Sequence, residues 1–143
     1  MQLLSGSIDK QLVRSPTTRW LTPVVVVAHK QIVQFFDSTK TRVIDRNAVF
    51  KTDVPDLWSS PSVVQDFKNF VGMHVAEEAL MQISQRDFGP RIASGLTALE
   101  LWTNYWGEVF QKHDIEVIVL TESPHRVYDL GMFLAAKALS KPV

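Results

Sequence analysis

The stretch IEVIVLTESPHRVYDLGMFLAAKAL, from Ile115 to Leu139, contains the clearest succession of strand, loop and helix signals in the chain. Ile115–Leu120 is a short, nearly continuous apolar run, which is typical of a strand covered on both faces of a parallel sheet. Ser123 and Pro124 predict the N-cap and the first residue of a following helix. That helix is predicted over 126–139, and one of its faces is apolar: Val127, Leu130, Leu134 and Ala138.

The rest of the chain repeats this alternation of strands and helices. Val24–Val27 is a run of β-branched residues and predicts a second central strand. Thr41–Phe50 mixes β-branched and charged residues in near alternation, which favours an edge strand or a hairpin. Helical spacing of apolar residues predicts helices over 62–86 and 91–113, the first with Ser60 as N-cap and Pro61 as its first residue. The order of elements predicts a three-layer, Rossmann-like α/β fold with a small, mainly parallel sheet flanked by helices.

Length and composition restrict the classes of protein that fit. The 143 residues suit one α/β domain, and the chain stops at Pro142-Val143, where another parallel strand is expected to begin. We therefore expect the N-terminal part of a larger two-domain protein. Because 15 Lys and Arg balance 15 Asp and Glu, a dedicated nucleic-acid binder is not expected.

Two further classes of feature are absent from the sequence. The chain has no cysteine, which excludes disulfides, zinc–thiolate sites and thiol nucleophiles. The N-terminus does not resemble a signal peptide, and the best apolar run, Trp20–Ala28, is too short to span a bilayer. We therefore expect a cytoplasmic protein without a membrane span.

The loop after Leu120 is the best candidate for a site, because ligands of open α/β sheets bind at the carboxyl ends of strands. The first amides of the next helix attract an anion, and Arg126 is placed to add a bidentate contact to a phosphate or carboxylate. The helix dipole favours a neutral imidazole at His125, which makes it a candidate catalytic base. Glu122 is close enough in sequence to orient that ring. The competing interpretation is a simple helix cap beside a solvated histidine.

The same loop carries a resemblance to a known family. The run Ser123–Leu130, together with Phe133, Ala136-Lys137, Leu139 and Pro142, resembles a pattern in capsular or surface-polysaccharide biosynthesis proteins. Those proteins are glycosyltransferase-like, with Rossmann-type domains, and the likeness is limited to about residues 113–143. The resemblance implies that His125 and Asp129 line a substrate cleft and that the nucleotide-sugar half lies beyond Val143.

The resemblance implies a glycosyltransferase-like domain of surface (capsular) polysaccharide biosynthesis, the acceptor-side half, whose partner is a sugar nucleotide or a glycan acceptor. The predicted catalytic residues are His125 and Glu122. The predicted substrate-binding residues are Arg126, Ser123, Tyr128 and Asp129. We expect no metal and no cofactor.

Two other groups of residues are better explained by ordinary folding roles than by a functional site. His74, Glu77 and Glu78 lie within one helical turn, but a carboxylate-bridged metal site needs Glu-x-x-His motifs on paired helices. Here the order is reversed, His-x-x-Glu, and it occurs once, so a solvated face is favoured. Trp102 and Trp106 share an apolar stripe and are predicted to lie in the core, whereas Tyr105 is the candidate for exposure.

The alternative to an enzyme is a non-enzymatic interaction module. Such a protein would use the aromatic-rich long helix to pair with another chain or with a second copy of itself. No G-x-S-x-G, G-x-x-x-x-G-K-[ST] or G-x-G-x-x-G motif is present, which argues against a serine hydrolase, a P-loop NTPase and a standard dinucleotide dehydrogenase.

Overall fold

The computed structural model describes residues 24–28, 40–51, 54, 56–88, 92–120 and 123–143. Over these residues the chain is mixed α/β and mostly helical, with a small two-stranded parallel sheet. The described residues group into two compact units. The first takes them from Met1–Val54, His113–Ser123 and Pro142–Val143, and the second from Pro55–Lys112 and Pro124–Lys141. The prediction of one domain over 1–143 also concerns the other residues and stays a prediction.

The first unit contains the sheet. Strand β1 (Val25–Ala28) pairs in parallel with β2 (Arg42–Asp45), with Val25 opposite Arg42 and Ala28 opposite Asp45. Val25, Val26 and Val27 are fully or almost fully buried, as a strand covered on both faces requires. The predicted strand over Val24–Val27 is therefore confirmed, shifted by one residue.

The segment Thr41–Phe50 is strand in its first half only. The side chain of Asp45 accepts a hydrogen bond from the backbone N of Asn47 at 3.0 Å, and this cap starts helix α1 (Arg46–Phe50). The hairpin alternative for this segment is wrong, because its second half is helix α1 and its strand pairs in parallel with β1. Parallel strands need a long crossover rather than a tight turn.

The predicted central strand over Ile115–Leu120 is also wrong, since this segment belongs to no sheet among the described residues. Ile115 and Ile118 are fully buried, and their spacing of three differs from the two-residue alternation of a strand. The backbone N of Ile118 donates to the carbonyl O of Pro142 at 3.0 Å. Apolar side chains anchor this segment without the ladder that a strand needs.

The second unit is helical and contains four helices. They are α2 (Phe67–His74), α3 (Glu77–Phe88), α4 (Ile92–Lys112) and α5 (Val127–Ala138). The helical stretch predicted over 62–86, with an interruption at Gly72, is two helices, and the break lies slightly later, with Val75 as the C-cap of α2. Helix α2 begins later than predicted because Asp66 caps it, accepting from the backbone N of Asn69 at 3.2 Å. Ser60 is not a cap, and its hydroxyl donates to the carbonyl O of Asp56.

Aromatic packing between α4 and α5 forms the core of the second unit. Trp102 and Trp106 are buried and their rings stack with centroids 6.0 Å apart, as the apolar stripe predicts. Tyr105 is buried as well, so its predicted exposure is wrong: its ring packs edge-on against both tryptophans. At Gly131 the two helices approach so closely that an added Cβ would lie 2.6 Å from Cβ of Trp102.

The C-terminus of α5 is closed by a Schellman motif. Ser140 has a φ of 53°, its backbone N donates to the carbonyl O of Lys137, and the backbone N of Lys141 donates to the carbonyl O of Ala136. At the other end α5 begins at Val127, and Arg126 is the N-cap residue without a capping side chain of its own. The predicted roles of Ser123 as N-cap and Pro124 as first helical residue are therefore wrong.

Candidate functional site

A carboxylate from a distant part of the sequence caps the start of α5. The backbone N of Val127 donates to Oδ2 of Asp87 at 2.8 Å, across 40 residues of sequence. Asp87 lies in the last turn of α3, and its side chain is only 11% exposed. The first amide of α5 therefore has an anionic partner, which is a carboxylate of the protein itself. The predicted binding of a ligand anion at this position stays a prediction.

Two arginines strengthen this junction between α3 and α5. Nε of Arg126 lies 2.8 Å from Oδ1 of Asp87. Because this N–H does not point at the oxygen, the contact is an ion pair rather than an aligned hydrogen bond. Nη1 of Arg86 donates to the carbonyl O of His125 at 3.1 Å. One contact ties the carbonyl of the His125–Arg126 peptide to the end of α3, and the other ties the Arg126 side chain to it.

The ring of His125 lies beside a carboxylate of α5. Nδ1 of His125 is 3.4 Å from Oδ2 of Asp129, which lies four residues later. With its proton on Nδ1 facing this carboxylate, a neutral imidazole carries its acceptor lone pair on Nε2. The His125 side chain is 37% exposed, whereas that of Asp129 is 12% exposed. A largely buried carboxylate that holds the ring and a ring that reaches solvent are the arrangement of a histidine base and its orienting group.

The remaining predicted site residues are placed differently. Glu122, predicted to orient His125, lies outside the described residues, and the carboxylate beside the ring is Asp129. Ser123 is exposed. Tyr128 is buried: its ring packs edge-on against Trp102, and its carbonyl O accepts from Nε1 of Trp106 at 3.0 Å. Tyr128 therefore joins α5 to α4 in the core.

Asp87 and Arg86 are the site residues that sequence reasoning missed. They lie in the last turn of α3, and the Gly89-Pro90 pair that follows them in the sequence marks only a break between two helices. Their role depends on contacts with residues about 40 positions away, and no local pattern reports such a contact. The one available signal is an acidic residue at the C-terminal end of a helix, where the dipole disfavours it and a compensating partner is expected.

Metal clusters and membrane-spanning helices are two features that the described part of the chain lacks. No group of three or more His, Asp or Glu side chains there is close enough together to hold a metal ion. No helix within the described ranges combines the length and apolar character needed to cross a membrane. The aromatic face of α4, which the interaction-module alternative requires, packs against α5 of the same chain.

Comparison with known proteins gives no relative: no protein-family model, no curated protein and no solved structure matches this chain.

Proposed function

We propose that this chain is a glycosyltransferase-like domain of surface or capsular polysaccharide biosynthesis, and that it supplies the acceptor side of the reaction. The observation that carries the proposal is the contact between Nδ1 of His125 and Oδ2 of Asp129 at 3.4 Å, with the ring partly open to solvent. A histidine held in this way can take a proton from a hydroxyl group, which is the step that an acceptor sugar requires.

The proposed chemistry uses His125 as general base. Nε2 removes the proton of an acceptor hydroxyl while the oxygen of that hydroxyl attacks the anomeric carbon of a donor sugar. The bond between that carbon and the leaving phosphate oxygen breaks, and the phosphate departs with the electron pair. Asp129 stabilises the imidazolium that forms and keeps the ring in the correct tautomer.

The charge around α5 supports the acceptor side rather than the donor side. A sugar nucleotide carries phosphates, and the first amides of a helix together with an arginine are a common way to bind them. At α5 those partners are already engaged, because Asp87 accepts from Val127 and pairs with Arg126. A second anion here would be repelled by the Asp87 carboxylate, whereas a neutral sugar hydroxyl would not. The proposed role of Arg126 is therefore to hold the loop rather than to bind phosphate.

The proposal also includes the arrangement of the sheet and the helices. We propose that β1 and β2 are part of a three-layer, Rossmann-like sheet in which helices cover both faces. The parallel pairing of β1 with β2 and the burial of Val25, Val26 and Val27 support this, since all-parallel sheets are covered on both sides.

The experiment that tests this function follows the imidazole nitrogens of His125 by NMR in histidine-labelled protein. The signals of His125 and His74 are assigned with H125Q and H74Q, and His74 serves as the control because it is an exposed histidine on α2. We expect short neutral glycans to shift the His125 signals saturably and to leave those of His74 unchanged. D129N should change the tautomer ratio of His125, because the amide no longer favours the Nδ1–H form.

Two results would contradict the proposal. If no glycan shifts the His125 signals, the ring does not face an acceptor. If UDP- or GDP-sugars shift them more strongly than glycans do, the donor side is at this site and the acceptor assignment fails.

A further inference from the structure

His125 lies outside the helix that carries its carboxylate partner. Helix α5 begins at Val127, and His125 comes two residues earlier, in a segment without regular secondary structure. Within an α-helix, residues four positions apart lie on one face, so their side chains meet without further support. This rule does not apply to His125, because the helical backbone begins after it. The contact between His125 and Asp129 therefore depends on whatever holds the two residues before α5.

Contacts from the end of α3 hold these two residues. Nη1 of Arg86 donates to the carbonyl O of His125 at 3.1 Å, which restrains the plane of the His125–Arg126 peptide. The next residue of α3, Asp87, accepts from the backbone N of Val127 at 2.8 Å and lies 2.8 Å from Nε of Arg126. Two adjacent residues of α3 thus contact three consecutive residues at the start of α5.

The end of α3 is itself packed against the core of the second unit. Ile83 and Ser84 are buried, whereas Gln85 and Arg86 are exposed. Ser84 sits so close to α4 that a Cβ added at Gly95 would lie 2.5 Å from its Oγ. Side chains that project from a packed helix hold a loop more precisely than side chains of the loop itself. The last turn of α3 is therefore a firm support for the segment that contains His125.

We propose that Arg86 and Asp87 are positioning residues for His125: they hold the backbone from His125 to Val127, and this keeps Nδ1 of the ring beside Asp129. The two carboxylates then have separate roles, because Asp87 sets the backbone and Asp129 receives the proton of the ring. A ring held at both its backbone and its Nδ1 keeps Nε2 in one direction, as a general base requires. Only the description of His125 as a base rests on the proposed function.

The test measures the tautomer ratio of the neutral His125 ring by NMR of its imidazole nitrogens. The whole chain is used without a ligand at about pH 8.5, where an ordinary histidine is neutral, and the urea-unfolded protein gives the reference ratio. We expect the folded wild-type protein to favour the Nδ1–H form over that reference. R86A and D87A should each lower the ratio of Nδ1–H to Nε2–H about twofold or more, since each removes a hydrogen bond that holds the backbone.

Conservative variants and a matched control show whether these contacts are the cause. R86K keeps a donor for the carbonyl O of His125, and D87N keeps an acceptor for the backbone N of Val127, so each should recover part of the ratio. Gln85 is the exposed residue that precedes Arg86 on α3, and Q85A should leave the ratio unchanged.

A double variant separates positioning from a general loss of structure. In D129N the ring has already lost its charged partner, so adding R86A should change the tautomer ratio less than R86A does in the wild-type background. A general loosening of the fold would instead change the ratio equally in both backgrounds. Circular dichroism shows that each variant is folded under the conditions of the measurement.

Three outcomes would overturn the inference: an unchanged ratio in both R86A and D87A, an equal change in Q85A, or an equal effect of R86A with and without Asp129. The measurement is independent of the proposed function, because it uses no glycan. Failure of that function is shown instead by His125 signals that stay unshifted during the glycan titration.

Discussion

Replacing Asp87 tests whether one carboxylate builds the start of α5 and, through it, the position of His125. D87A removes the acceptor of the Val127 backbone N–H and the partner of Arg126 in one step. D87N keeps an oxygen that can accept from Val127 but has no charge. The two variants therefore separate the hydrogen bond at the helix start from the charge.

The magnitudes follow from burial. Asp87 is 11% exposed, so losing its charged hydrogen bond to Val127 should cost about 1–2 kcal/mol of unfolding free energy. Arg126 is 33% exposed and its ion pair is partly screened, so this contact adds only about 0.5 kcal/mol. We expect D87A to lower the unfolding free energy by about 1.5–2.5 kcal/mol and D87N by about 1 kcal/mol, the latter from the lost charge at the helix N-terminus.

The assay is urea unfolding followed by circular dichroism, together with amide hydrogen exchange of Val127. R86A is the matched control, because Arg86 is the preceding residue on α3 and its contact, to the carbonyl O of His125, is exposed. R86A should cost about 0.5 kcal/mol or less and leave the Val127 amide protected. D87A should accelerate exchange of that amide. Equal stability of D87A and wild type, or an unchanged exchange rate, would refute the capping role of Asp87.

Two other substitutions, G131A and S140G, test the packing and the end of α5, and G72A on α2 is the control for the first. G131A should lower the unfolding free energy by about 1–2 kcal/mol in urea unfolding, because the new Cβ would meet Cβ of Trp102 at 2.6 Å and backbone atoms at 3.0–3.1 Å. A Cβ added at Gly72 has nothing within 4 Å, so G72A should raise the unfolding free energy by up to about 1 kcal/mol. A change of the same sign in both variants would contradict this packing. S140G should raise the unfolding free energy by about 0.5–1 kcal/mol, and with it the midpoint of thermal unfolding, because Ser140 has a φ of 53° that glycine adopts without strain. A lower midpoint would show that the contribution of the serine side chain outweighs that strain.

Helices whose apolar residues recur with helical spacing over several turns are predictable from sequence. This spacing predicts α4 over 91–113 and α5 over 126–139, and the helices are Ile92–Lys112 and Val127–Ala138. In both helices the predicted apolar stripe is largely buried, because burial of one face is what the period encodes. The burial of Tyr105 is not predictable in this way. Helix α4 is covered on more than one side, so a position off the main stripe is buried as well.

Strand pairing and helix starts are harder to predict, because both depend on partners outside the local pattern. Ile115–Leu120 has the composition of a buried strand. Its two isoleucines are buried, yet the segment forms no strand hydrogen bonds within the described part of the chain, because its apolar side chains reach the core without them. Ser60-Pro61 and Ser123-Pro124 have the composition of helix starts. Asp66 and Asp87 provide the observed caps instead, the first from three residues and the second from 40 residues away. Local propensity identifies residues able to cap, and tertiary contacts decide which of them does so.

The cap supplied by Asp87 also bears on what the His125 loop can recognise. A helix N-terminus next to an arginine and a histidine suggests phosphate when only the local sequence is considered, because each of these groups favours an anion. Once a carboxylate from another helix accepts from the first turn and pairs with the arginine, the same groups no longer attract a further anion. The features that remain are a partly exposed histidine and the aspartate beside its ring, and these suit a proton acceptor for a neutral hydroxyl. It follows that D87N, by removing the internal anion while keeping the cap, should let phosphate reach Arg126, so that inorganic phosphate shifts the Arg126 signals in D87N and not in the wild-type protein.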